Sequence, residues 1–207
     1  MLYQLFTEGN RTMIQTSDNI IAIGASTGGT QAIHSIIKKL PRTFPGIVVV
    51  QHMPPVFTKM YAERLNSICQ MSVKEAEDGD IVIAGQVLIA TGDKHMELRK
   101  DNGRYYVKCY SGPKVSGHCP SVDVLFESVA KNAANKAIGV ILTGMGSDGA
   151  KGLLSMRKAG AFTIGQDEKS CVVYGMPMVA NNIGAVKKQA ALLEIPQLLN
   201  DYLALNK

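Results

Sequence analysis

One junction constrains the fold most. The apolar run Asn19-Ile20-Ile21-Ala22-Ile23 ends in Gly24-Ala25-Ser26-Thr27-Gly28-Gly29, and a helical pattern follows at once. A short β-branched run without polar alternation is what a strand buried on both faces requires. Ala32, Ile33, Ile36, Ile37 and Leu40 then recur at helical spacing as far as Pro41, which predicts a helix over 27–40 with one buried face. Gly46-Ile47-Val48-Val49-Val50-Gln51 reads as a second strand, and a helix over 57–68 comes next. Strands alternating with helices predict a parallel sheet covered on both faces, because parallel neighbours need a crossover connection.

Between 72 and 110 the pattern changes. The short runs Val87-Leu88-Ile89-Ala90 and Tyr105-Tyr106-Val107-Lys108 are separated by Gly92-Asp93 and by Asp101-Asn102-Gly103. Asn-Gly is a hairpin signal, so antiparallel ribbons are expected here. A helix over 122–132, a strand over 137–142 and the loop Gly144-Met145-Gly146-Ser147-Asp148-Gly149 restore the first pattern. A helix to Lys158, a strand over 161–165 and an amphipathic helix over 190–205 complete it. The expected class is a doubly wound α/β fold, its mainly parallel sheet flanked by helices and carrying an inserted antiparallel β-ribbon. Residues 1–17 read as a polar tail or linker remnant, and 18–207 as one domain.

The loop at Ser26 is open to three readings. A phosphate-binding P-loop places a lysine after its last glycine, and here Thr30 follows Gly29. A dinucleotide fingerprint has glycine where Ser26 stands and an acidic residue near the end of the second strand, where this chain has Gln51-His52. Both nucleotide readings are weakened at the residues that would do the binding. The third reading is a nucleophile elbow, matched by Gly24-Ala25-Ser26-Thr27-Gly28. Alone it is a weak match, since serine at the start of a helix is more often only a cap.

Partner residues shift the balance. In an open parallel sheet, ligands and chemistry collect at the carboxyl ends of the strands. Ser26 follows the first strand, His52 the second, and Asp148 the strand over 137–142. A serine hydroxyl needs a base to become nucleophilic, and the imidazole needs an acceptor to fix its tautomer. Each residue also has a plainer role: His52 as a packed histidine, Asp148 as a cap for the helix after Gly149.

Composition narrows the remaining classes. The 22 Lys and Arg residues against 17 acidic ones leave a net charge of +5, spread along the chain rather than clustered as a nucleic-acid footprint would be. Four cysteines, at 69, 109, 119 and 171, form no CxxC pair, so neither a zinc site nor a redox motif is expected. Scattered reduced thiols point to the cytoplasm. No apolar run nears the roughly 18 residues of a membrane span, and the N-terminus lacks the apolar stretch of a signal peptide.

With these residues located, the chain resembles the catalytic domain of the bacterial chemotaxis protein-glutamate methylesterases, which are also glutamine deamidases. The resemblance rests on Ile23-Gly24-Ala25-Ser26-Thr27-Gly28-Gly29-Thr30, Gln51-His52-Met53-Pro54-Pro55, Val73-Lys74-Glu75-Ala76-Glu77-Asp78-Gly79, Pro120-Ser121-Val122-Asp123, Leu142-Thr143-Gly144-Met145-Gly146-Ser147-Asp148-Gly149 and Gly175-Met176-Pro177. Ile89-Ala90 with Gly92-Asp93-Lys94-His95-Met96 adds to it. It implies a catalytic triad of Ser26, His52 and Asp148, and oxyanion donors in the backbone near Thr27 and Met145. It further implies no cofactor or metal, and the cytoplasmic domain of a methylated chemoreceptor as the protein substrate. His95, His118 and Met176 are candidate groove residues, and a monomer without nucleic-acid or membrane partners is expected. Members of this family usually carry an N-terminal phosphoacceptor receiver domain, whereas about 18 residues precede the first strand here. Cys119 stands where the family pattern has arginine. The alternative kept beside this reading is a Rossmann-like nucleotide- or phosphate-binding module without hydrolase activity.

Overall fold

The computed structural model describes residues 17–206. Most of the tail expected over 1–17 lies outside the described residues. Ser17 is the exception: it is buried, and its hydroxyl accepts from the Gly46 N–H at 2.8 Å.

Among the described residues nine strands and six α-helices follow one another: β1 (Ile20–Ala25), α1 (Gly29–Ile37), β2 (Gly46–Gln51), α2 (Pro55–Ile68), β3 (Ser72–Glu75), β4 (Gln86–Ile89), β5 (His95–Asp101), β6 (Arg104–Tyr110), α3 (Val122–Asn132), β7 (Ala137–Ile141), α4 (Ala150–Lys158), β8 (Phe162–Gln166), α5 (Met176–Asn182), β9 (Lys188–Ala190) and α6 (Ile195–Leu205). Seven form one sheet in the order β3-β4-β2-β1-β7-β8-β9, and every pairing within it is parallel. The strands β1, β2, β7 and β8 are buried at every position, which is why the first three are written largely in Ile, Val and Ala rather than in alternation.

Two apolar layers enclose the sheet. On one face α1, α2 and α6 pack through Ile33, Ile36, Leu65 and Leu199 against Ile21, Ile23, Val49 and Val140. On the other, α3, α4 and α5 pack through Leu125, Phe126, Leu153 and Ala180 against Ala22, Val48 and Val50. Phe126 is fully enclosed, so its truncation to Ala would cost about 3–5 kcal/mol. From β1 the chain first builds outward through β2, and later returns to add β7 on the opposite side. The direction of winding therefore reverses between β1 and β7, which opens a crevice at their carboxyl ends.

Three local expectations change. Helix α1 begins at Gly29 rather than at 27, because Gly28 takes a left-handed φ of 81° and leaves Ser26 and Thr27 in the turn. The segment expected to form antiparallel ribbons divides. Strands β3 and β4, including Val87–Ile89, join the parallel sheet, and β5 and β6 pair antiparallel. The turn in that hairpin is Asn102-Gly103, with φ of 47° and 80°, the positive pair that a two-residue hairpin demands. Finally, the long terminal helix gives way to the edge strand β9 followed by the shorter α6.

Candidate active site

Ser26 follows directly on β1, and the parallel register places it beside His52. Ala25 pairs with Gln51, and the His52 N–H donates to the Ala25 carbonyl at 3.1 Å. One side chain ties the two loops together: Gln51 Nε2 donates to the carbonyls of both Ser26 and His52, at 3.0 Å each. On its other flank the Ser26 N–H donates to Thr143 O at 3.0 Å, and Thr143 Oγ1 donates to Thr27 O at 2.9 Å. Gly144 completes the close approach. A Cβ there would lie 2.7 Å from Ser26 Cβ and 2.3 Å from Met176 Sδ, so the loop after β7 passes the serine only without a side chain. Ser26 itself stays half-exposed at the crevice.

His52 Nε2 lies 2.8 Å from Asp148 Oδ2. Asp148 is 2% exposed and accepts from three further donors: Ser121 Oγ at 2.7 Å, the Val122 N–H at 2.7 Å and the Asp123 N–H at 3.0 Å. Those two amides belong to the first turn of α3, whose partial positive charge favours an anion. The sequence suggested Asp148 as a cap for the helix after Gly149; instead it anchors the N-terminus of α3. Burial works against the carboxylate, but the hydrogen bonds from His52, Asp123, Val122 and Ser121 outweigh it and hold the carboxyl below its ordinary value. An ionised Asp148 makes Nε2 the protonated nitrogen in neutral His52, which leaves a lone pair on Nδ1. That Nδ1 is buried and bonded to no protein group among the described residues. The Ser26 hydroxyl thus makes no hydrogen bond to it in this ground state, as is common where catalytic contacts tighten only on substrate binding.

The face of His52 is covered by His118. The two rings stack with centroids 3.7 Å apart and planes 10° from parallel. His118 is carried by a tight turn in which its N–H and carbonyl pair with those of Val115, and Ser116 Oγ donates to Asp123 Oδ2 at 2.8 Å. Burial pushes the His118 imidazole below its ordinary pKa and the neighbouring His52 adds to this, against an opposing pull from Asp148. A neutral His118 sets an uncharged ring against the face of the His52 imidazole.

The remaining sequence-derived candidates divide. The backbone at Thr27 and Met145 lies at this crevice, with Thr27 exposed and the Met145 side chain 73% exposed. His95 and Met176 are not groove residues. His95 is 1% exposed: its Nδ1 accepts from the Ser121 N–H at 3.3 Å, and its Nε2 donates to Pro113 O at 2.9 Å. It therefore locks the segment that carries His118 and Ser121. Met176 is fully buried beneath Gly144, with its N–H donating to the Gly144 carbonyl at 2.8 Å. Gln51, Ser121 and Thr143 went unread as supports. Serine just ahead of an apolar helix is a cap signal that could have found Ser121, whereas nothing in the sequence marks Gln51 as a tie between two loops.

Among the described residues no cluster of three or more His, Cys, Asp or Glu could hold a metal ion. The four cysteines are free. Among the described residues no helix is long and apolar enough to cross a membrane. What the arrangement can do is acid–base-assisted nucleophilic attack. A serine at a strand end sits beside an imidazole whose far nitrogen is held by a buried, ionised carboxylate.

The chain resembles known proteins over most of its length. A protein-family model described as CheB methylesterase matches residues 21–199. Protein-glutamate methylesterase/protein-glutamine glutaminase 1 of Photobacterium profundum is 55% identical over 197 residues, covering 95% of this chain and 56% of that protein. A second such protein, from Syntrophomonas wolfei, is 62% identical over 180 residues, covering 87% of this chain and 53% of its own length. The chain thus spans about half the length of the curated relatives it matches. The crystal structure of the Thermotoga maritima CheB methylesterase catalytic domain superposes with a TM-score of 0.86 at 42% identity, over 89% of this chain and 98% of that one. These matches do not support the nucleotide-binding reading of the glycine loop.

Proposed function

The chain belongs to the CheB methylesterase family, and from that premise we propose that it is a serine hydrolase which removes methyl esters from γ-glutamyl side chains of a chemoreceptor. Ser26, His52 and Asp148 are its triad, and residues 18–207 its catalytic unit. The observation that carries this reading is the two-sided placement of His52. Its Nε2 is held by Asp148 at 2.8 Å, and its Nδ1 is buried without a partner among the described residues, just past the strand that pairs with the one before Ser26.

In the proposed reaction Ser26 Oγ attacks the ester carbonyl while His52 Nδ1 takes the hydroxyl proton. Asp148, buried and ionised, stabilises the imidazolium. The oxyanion accepts from the backbone N–H groups of Thr27 and Met145, each donor worth about 3–4 kcal/mol in comparable sites. The intermediate collapses by breaking the carbonyl carbon–methoxy bond, and methanol leaves with the proton from His52. Water, deprotonated by His52, then attacks the acyl-serine and releases the glutamate carboxylate and free Ser26. The same steps acting on a glutamine side chain would release ammonia, which supports a second, deamidase activity matching the relatives' names. The enzyme needs no cofactor in this scheme, and we propose that it acts as a monomer in the cytoplasm, the compartment being supported by its free thiols.

The test is methanol release from a methylated receptor fragment. The wild-type chain should release it, and Ser26→Ala should lose the activity while keeping its melting temperature. Undiminished turnover by Ser26→Ala would rule the assignment out.

A further inference from the structure

Beside the triad lies a groove of about 580 Å³ between α1 and α2, and His52 forms part of its lining. Helix α2 carries two apolar stripes. One, through Thr58, Ala62 and Leu65, is buried against the sheet. The other, through Phe57, Met60 and Ile68, lines the groove and is exposed at 54%, 60% and 44% respectively. Phe57 and Met60 stand three residues apart and Ile68 lies about two turns further on, beyond Arg64, so the three share one solvent-exposed face of α2. An apolar stripe on an exposed helix face marks a surface meant to be covered.

Three observations say what covers it. First, the groove reaches the triad at His52 through Met53 and Pro54, so a segment that fills it lies beside the site. Second, its only fully charged lining residue among the described residues is Arg64, in the middle of the stripe. At the far end Lys38, the residue after α1, projects its charge onto Cys69, the residue after α2, where burial raises the thiol and Lys38 pulls it back. Third, His34 of α1 lines the groove with a buried Nε2 that has no partner among the described residues. Positive charge flanking an apolar floor, with a spare imidazole nitrogen, fits a segment with apolar side chains next to carboxylates.

We propose that this groove docks the protein substrate itself: an acidic, apolar-faced segment that continues the chain on which the target glutamyl ester is carried. The inference rests on the esterase reading above and deepens it. A methyl ester has lost its charge and offers little to hold on to, so selectivity among glutamyl residues has to come from neighbouring side chains. Binding energy from such remote contacts is what positions a small reacting group.

The experiment compares two substrates: a methylated receptor fragment and the γ-methyl ester of N-acetylglutamate, which is too small to span both site and groove. Two variants are used, the double substitution Phe57→Ser with Met60→Ser, and Arg64→Glu. Both alter exposed side chains. For the receptor fragment, KM should rise at least about tenfold with kcat within about threefold, the pattern of lost docking contacts. For the small ester, kcat/KM should not move. With wild type, the receptor KM should also weaken with added salt, and Arg64→Glu should abolish that dependence. An unchanged receptor KM in both variants would overturn the groove while leaving the esterase reading standing. Equal losses on both substrates would overturn it too, because the residues would then act through His52 or the fold. If wild type releases no methanol from the receptor, the esterase reading and the groove fall together.

Discussion

His52 Nε2 lies 2.8 Å from Asp148 Oδ2, while Nδ1 of the same ring is buried without a partner among the described residues. The carboxylate has four hydrogen-bond donors, of which two are first-turn amides of α3. The ring is thus oriented by a group that is itself immobilised by a helix terminus. Orientation and charge stabilisation come from one side chain, and the predictions below separate the two.

Asp148→Asn keeps the shape and removes the charge. Turnover should fall by as much as about 10⁴-fold, because the amide no longer selects the tautomer with a free Nδ1. The fold should survive, since the amide oxygen still accepts from α3. Steady-state methanol release together with thermal melting measures both. A loss under tenfold would reduce Asp148 to an anchor for α3.

The same carboxyl predicts a pH dependence of stability. Burial raises its pKa, but the hydrogen bonds from His52, Asp123, Val122 and Ser121 lower it more, so the folded value lies below the ordinary 3.8. Its stabilising contribution is complete above the unfolded pKa and is lost as pH falls through the folded one. Urea midpoints followed from about pH 5 down to about pH 2.5 should therefore drop more steeply for wild type than for Asp148→Asn. Parallel curves would contradict the depressed pKa.

Removing the His118 ring should loosen His52. Aromatic pairs contribute about 0.5–1.5 kcal/mol, so His118→Ala should lower kcat by roughly 2- to 12-fold if the stacking acts on His52. His118→Phe restores a stacking face without a titrating group and should recover most of the loss. Failure of Phe to recover activity, with both variants folded, would mean that the imidazole acts through its nitrogens.

Gly144→Ala tests the close approach of the two loops. The new methyl would sit 2.7 Å from Ser26 Cβ and 2.3 Å from Met176 Sδ, so one of them must move. Overpacking of this kind costs about 1–3 kcal/mol of stability. Displacement of the nucleophile should cost about 10²-fold or more in turnover, since misplacement on the order of 1 Å has that effect. Melting and methanol release read the two effects independently. A wild-type turnover number would show that Ser26 is not set by this contact.

Much of this site was legible in the chain because parallel-sheet geometry converts sequence order into position. Residues just past β1, β2 and β7 must share an edge, and that alone brought Ser26, His52 and Asp148 together. Supports that act across the sheet left no such trace. Asp148 looked like a cap for its own following helix, yet it holds α3, which comes earlier in the chain and meets it only through the fold. His95 and His118 read alike as candidate groove residues, but one is locked between Ser121 and Pro113 while the other stacks on His52. Burial separates them, and the burial of a single residue at a strand end or in a turn leaves no periodic trace. The short strands β3 and β4 were misread for a related reason: a four-residue run carries no sign of whether its neighbour is parallel.

The central claim is that Ser26 is a nucleophile activated by His52. A fluorophosphonate carries out the same attack and stops at the covalent adduct, so peptide mass spectrometry after labelling tests it most directly. The account predicts one adduct per chain, on Ser26, forming rapidly in wild type and at least about 10²-fold more slowly in His52→Gln. An adduct on another residue, or equal labelling rates in the two proteins, would contradict it.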